Sequence, residues 1–298
     1  MKSSAIYSPE PARGWLPWAA FAPFLCILLV AIPSILVSLV LEHFQLEDAK
    51  GDPLGLSGLF AVLIFHFVAM GLFLFAWVLL VERRPLATLG LAGPRKARRS
   101  FFGLGIGMAT VSSVVVAIWA AGGLEASGFG PALRSPGALL NIGLLLICFA
   151  VQSSVEEVIF RGWLLSAVAG KLNLPIAVVL NSLVFAFLHY SPHQPVRIIV
   201  SSLLFATFAC CWALKTRSLW GVMGWHTGWN WLLATGFELP VTGLDAKQPA
   251  LLVRMIVQGP DELTGGAQGP EGSYLCSVFF LGACAFLLWR IRRQRETG

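Results

Sequence analysis

The chain has 298 residues, of which 57% are hydrophobic and only 12% charged, with a formal net charge of +6. A water-soluble globule needs a far more polar covering, so this balance excludes a soluble domain and predicts a membrane protein. The basic excess does not point to nucleic acid, because lysine and arginine cluster in loops beside apolar runs, without the aromatic interleaving of a nucleic-acid module.

Uncharged runs fall at 15–41, 54–81, 101–124, 137–155, 172–196, 198–214, 218–237 and 272–289. Most approach the roughly 20 residues that cross about 30 Å of hydrocarbon as a helix. Strands of a closed barrel would alternate apolar and polar residues, and "FLCILLVAIPSILVSLVL" does not. The expected fold is an all-α membrane protein, a polytopic bundle of about eight transmembrane helices in one domain over 1–298. With an inside N-terminus, fifteen of the 21 lysines and arginines collect on one side, among them Lys2, Arg13, Arg95, Arg99 and Arg293. Lys50, Arg134, Arg197, Lys247 and Arg254 lie on the other, and Arg161 alone is left at membrane depth. Positive charge stays cytoplasmic, so both termini are expected in the cytoplasm.

Helix one is too long for a signal-peptide core and lacks a cleavage pattern after it, so it is expected to remain as a span. Helix two carries a lone histidine, His66, expected to be a satisfied packing residue. "ERRPLATLGLAGPRKARRS" forms a basic inner loop before helix three. The six cysteines, Cys26, Cys148, Cys210, Cys211, Cys276 and Cys284, all fall in spans without CxxC spacing, and so read as small buried hydrophobes.

Helices four, five and seven differ from the rest because they are polar at depth. An ionisable group there costs roughly 2.5 to 3.5 kcal/mol, so it persists where it pairs or lines a wet cavity. Helix four continues past Val155 through Glu156, Glu157 and Arg161 to about Ala169. Glu157 and Arg161, at i and i+4, share a face and are expected to pair, whereas Glu156 is turned about 100° away and left without that partner. Helix five repeats Asn181, Phe185 and His189 every four residues. Helix seven carries His226 and Asn230, also at i and i+4. A short turn around Leu172 to Pro175 makes helices four and five a hairpin. Glu156 lies 16 residues before Leu172 and His189 17 after it, so both sit about 25 Å along their helices, at nearly equal height.

A carboxylate, two imidazoles and an amide meeting in a dry bundle suit acid–base attack of water on an acyl carbon. Glu156, without that ion pair, is expected to act as a general base that takes a proton from water. His189 would orient or deprotonate the water or coordinate a metal that holds it, and His226 with Asn230 would stabilise an oxyanion.

In order, "EEVIFR", "FAFLH" and "HTGWN" resemble the EExxxR, FxxxH and HxxxN motifs of the CPBP family, the CAAX-protease and bacteriocin-processing group of intramembrane peptidases. The resemblance covers Glu156 to Asn230 and implies an eight-helix bundle with endopeptidase activity on a membrane-embedded or lipidated peptide. It makes Glu156 the water-activating carboxylate, His189 its partner, His226 and Asn230 the oxyanion side or a metal-facing group, and Glu157 with Arg161 a supporting ion pair. Family members are commonly labelled zinc metalloproteases, but the chain has no HExxH. A Zn site of Glu156, His189 and His226 and a metal-free glutamate mechanism both stay open.

Other functions are a proton-coupled transporter, against which no inverted repeat is found, and a non-catalytic scaffold or immunity protein of the same family. The motif-bearing core is placed at 137–237. The segment 238–273 is expected to be a long extracytoplasmic loop whose acidic residues form a solvated rim. Trp220, Trp225, Trp229 and Trp231 read as packing and interface anchors, His193 as a loop residue, and "RIRRQRETG" as a cytoplasmic cap.

Overall fold

The computed structural model describes residues 6–7, 10–192 and 194–296, so Lys2 and His193 lie outside the described residues. Helices occupy the apolar runs: α1 (Ala22–His43), α2 (Gly55–Val81), α3 (Lys96–Ala120), α4 (Pro136–Ala169), α5 (Leu174–Leu188), α6 (Val196–Thr216), α7 (Trp220–Trp231, continuing as a π turn over Leu232–Gly236) and α8 (Tyr274–Glu296). Six of them are long and apolar enough to cross a membrane, and α5 is a shorter apolar helix. In those six, at most 50% of the most apolar stretch is buried inside the protein. The rest, including Ile35, Leu39, Leu72, Val116, Leu144 and Leu281, faces outward. Apolar area on that scale is stable only against lipid. The chain is a mostly helical integral membrane protein. All six cysteines are free and buried.

Two expected boundaries are corrected. The third run does not stay helical to 124: α3 ends at Ala120, Gly122 turns the chain at φ +80°, and Leu124–Phe129 forms strand β1. β1 pairs antiparallel with β2 (Val253–Val257), inside the segment read as a loop, with Leu124 opposite Val257 and a bulge between Ala126 and Gly128. "RMIV" is too short for its alternation to stand out from noise. The fifth run does not continue to 196. α5 stops at Leu188 and a new helix starts at Val196, because Pro192 and Pro195 each disfavour helical backbone in the residue before them.

Glycine sets the closest helix approach. A Cβ on Gly103 or Gly107 of α3 would overlap the carbonyl oxygens of Gly221 and Trp225 on α7, and one on Gly224 or Gly228 would overlap those of Ser100 and Leu104. Small residues let backbones touch where lipid offers no hydrophobic drive to association. α7 is thereby held against α3 on one side and presents His226 and Asn230 on the other.

α4 is 34 residues long, about 50 Å at 1.5 Å per residue, more than the hydrocarbon thickness. From Val158 to Leu164 it widens to π geometry. Side chains from elsewhere reach its carbonyls there: Asn181 Nδ2 donates to Phe160 O (2.6 Å) and the Tyr7 hydroxyl to Arg161 O (2.8 Å). Asn181 thus braces the wide turn instead of sharing a task with His189. The turn into α5 is capped by Asn173, whose Oδ1 accepts from Ile176 N at 2.9 Å.

Candidate active site

Gln152 and Glu156 are one helical turn apart on α4, Glu157 and Arg161 occupy the neighbouring face, and all four are buried. α7 brings His226 and Asn230 to the same level. α5 brings His189, the residue that caps its end. Glu156, His189, His226, Asn230 and Gln152 line one cavity of about 270 Å³, with Phe149, Phe185, Phe205 and Phe280 supplying apolar wall.

Glu157 and Arg161 form the expected pair, with Nη1 to Oε1 at 3.2 Å and both side chains fully buried. The same Oε1 accepts from His226 Nδ1 at 3.0 Å, so Glu157 also orients the imidazole. A carboxylate can only accept, which puts the hydrogen on Nδ1 and turns Nε2 toward Glu156, whose Oε2 lies 3.8 Å away. That separation is too long for a direct hydrogen bond. Arg161 Nε and Nη2 and Glu157 Oε2 have no hydrogen-bond partner. The guanidinium instead lies 4.7 Å over the Phe185 ring, with Phe160 at 5.8 Å and Phe205 at 5.9 Å. This aromatic cage offsets part of the burial cost.

Glu156 is not left alone, as its turn away from Arg161 suggested: Gln152 Nε2 donates to its Oε1 at 2.8 Å. Gln152 Oε1 in turn accepts from Asn230 Nδ2 at 3.0 Å and from Ser153 Oγ at 3.1 Å. Gln152 was legible as a polar residue one turn before Glu156 in an apolar run, but the motif spacing begins after it. His189 Nδ1 donates to Phe185 O at 2.8 Å, and its ring stacks on Phe185 at 4.1 Å. Since a carbonyl only accepts, Nδ1 carries a hydrogen, and in the neutral ring Nε2 of His189 is the acceptor.

Among the described residues no three His, Cys, Asp or Glu side chains converge as a metal-binding group. Glu156, His189 and His226 share a cavity without forming a His₂Glu ligand set, and His226 Nδ1 is committed to Glu157. The Nδ1 contact leaves His226 Nε2 on the side of Glu156.

The loop after α7 also reaches the cavity, contrary to a purely solvated rim. Glu271 lines it and accepts from Trp229 Nε1 (2.8 Å) on one oxygen and from Thr242 N and Oγ1 (each 2.7 Å) on the other. The only sequence signal was that a buried indole needs an acceptor. The four tryptophans of α7 do pack: Trp225 donates to Thr110, Trp220 to Leu91 O and Trp231 to Ile142 O. His66 is likewise satisfied, by Glu47 at 2.8 Å.

Residues 138–232 match the family model "Type II CAAX prenyl endopeptidase Rce1-like". Over this stretch, about a third of its length, the chain is similar to Rce1-like type II CAAX prenyl endopeptidases. No curated protein matches the chain. The matched stretch runs from the first turn of α4 to the end of α7 and contains Gln152 and the six candidate site residues. Val62, Leu63 and Phe67 of α2, and Thr242, Gln268 and Glu271 of the late loop, complete the cavity from outside it.

Proposed function

We propose that the protein is an intramembrane endopeptidase that cleaves a peptide bond in a membrane-anchored or lipidated peptide with water activated by Glu156. The observation that carries this reading is the meeting of Glu156, His226 and Asn230, from two helices, in one cavity with aromatic walls. Glu156 Oε2 takes a proton from water as its oxygen bonds to the scissile carbonyl carbon. The resulting oxyanion lies against Asn230 Nδ2 and His226, which donates from Nε2 when the ring carries its second proton and Glu157 balances that charge. Collapse breaks the C–N bond, and the proton passes from Glu156 to the leaving nitrogen, giving an acid and an amine. His189, with Nε2 as an acceptor, helps orient the water. No step is routed through a metal. By the distribution of lysine and arginine, both termini lie in the cytoplasm and 238–273 on the other side.

The test is cleavage of a quenched, membrane-anchored peptide by purified protein in liposomes. Wild type should cleave, and Glu156→Gln should not, while keeping its unfolding temperature. Equal behaviour of the two proteins ends the reading.

A further inference from the structure

The amide of Gln152 sits between the two groups that the peptidase reading uses most, and hydrogen-bond polarity fixes its direction. Glu156 Oε1 only accepts, so the end of Gln152 that faces it at 2.8 Å is the NH₂. The other end is then a carbonyl, which only accepts, and Ser153 Oγ and Asn230 Nδ2 both donate to it. Asn230 therefore has to present its NH₂, because the flipped amide would set oxygen against oxygen at 3.0 Å. One N–H of that group goes to Gln152, and the second belongs to the same atom on the cavity wall. On the acid side, Gln152 occupies Oε1 and leaves Oε2 as the oxygen facing His226.

We infer that Gln152 is a positioning residue that selects Oε2 of Glu156 as the proton-accepting oxygen and locks Asn230 with its donor toward the oxyanion. This rests on the peptidase reading, since it assigns the orientation of two residues which that reading employs. The amide of Gln152 is spent on Glu156 and Asn230. Its effect passes through Glu156 and Asn230, so it should act on kcat and leave KM alone.

The experiment uses full-length protein in liposomes with the quenched peptide, comparing Gln152→Ala, Gln152→Glu, Asn230→Ala and the Gln152→Ala/Asn230→Ala double variant. Gln152→Ala should lower kcat about 30-fold with KM within about twofold, in line with loss of one well-placed donor. The double variant should lose no more than about threefold beyond Asn230→Ala, because the two residues act as one unit. Gln152→Glu is the sharper arm. A protonated glutamic acid reproduces the amide, with O–H toward Glu156 and C=O toward Asn230, whereas an ionised one repels Glu156. Glu156 and His226 are the titratable groups beside position 152, and His189, Glu271 and the Glu157–Arg161 pair surround them. Relative to wild type, Gln152→Glu activity should fall at least about tenfold from pH 5.5 to pH 8.5, while Gln152→Ala keeps a constant ratio. A merely structural glutamine would give a pH-independent ratio for both, and that overturns the inference. Unfolding temperatures of the same variants read the network without turnover. If wild type does not cleave, the peptidase reading fails on its own. The orientation of Glu156 and Asn230 then stands if the unfolding-temperature deficit of Gln152→Glu grows with pH, and falls if that deficit is constant.

Discussion

Among the described residues stand two buried carboxylate–histidine pairs, and they differ in what is left over. In the first, at the loop between α1 and α2, Glu47 accepts from Ser38 on one oxygen at 2.9 Å and from His66 on the other at 2.8 Å. Each oxygen has a donor. In the second, Glu157 takes both Arg161 and His226 on a single oxygen, and its other oxygen is unpartnered. A further acid, Glu156, faces the same imidazole across 3.8 Å on a cavity wall. Glu82 resembles the first pair: wholly buried, it accepts from Trp77, Trp163 and Arg84. Depth alone therefore does not mark a site. A surplus of charge over partners, beside a cavity with room for a ligand, does.

The largest expected difference between the two pairs is in turnover. Glu156→Gln removes the group that takes the water proton in this reading, and kcat should fall about a thousandfold, within the usual range for general-base loss. Glu47→Gln should leave kcat within about twofold under the same peptide assay. If the two substitutions reduce cleavage alike, the contrast drawn above is wrong.

Next in size is stability. Glu157→Gln leaves Arg161 charged and buried, with Nε and Nη2 already unpartnered, and should cost about 3 to 5 kcal/mol by thermal or denaturant unfolding. Glu157→Gln combined with Arg161→Met removes both charges and should recover most of that loss. Activity should not return, because His226 would lack its counter-charge. Recovery of both together would reduce Glu157 to glue between helices.

Much of this was legible in the chain. The carboxylate–arginine pair follows from i, i+4 spacing, and α4 carries it through Ala169 as the run of apolar and polar residues indicated. Glu156 and His189 do line one cavity, which their similar distances along the chain from the Leu172 turn allow. What escaped was tertiary. The contact of α3 with α7 depends on glycines whose meaning appears only when Gly103 is set against Gly221. Glu271 sits in a glycine- and proline-rich segment that reads as solvated, and nothing local reveals that Trp229 reaches it from α7. Gln152 was passed over because a neutral amide carries little burial cost and attracts notice only through its neighbours. A shared stripe or height does not by itself aim three donors at one point, and Glu156, His189 and His226 do not form a three-ligand group among the described residues.

Chelation brings a null result that sharpens the site's half of the comparison. With no three-ligand group among the described residues, dialysis against EDTA should leave cleavage within about twofold, and added zinc should not raise it. Loss of activity that zinc restores would mean that side chains move to ligate when substrate is present.

The smallest effect belongs to the satisfied pair. Glu47→Gln keeps the shape of the side chain but turns a charge-assisted contact with His66 into a neutral one, which should cost about 1.5 kcal/mol by unfolding. His66 lies on α2 between Leu63 and Phe67, both of which line the cavity, so this pair is the closest thing to a control that shares a wall with the site. If Glu47→Gln lowers stability by that amount and spares kcat, the wall tolerates a loosened pair behind it. A fall in kcat at unchanged stability would instead show that the α1–α2 loop sets the shape of the cavity, and the two pairs would then belong to one functional unit.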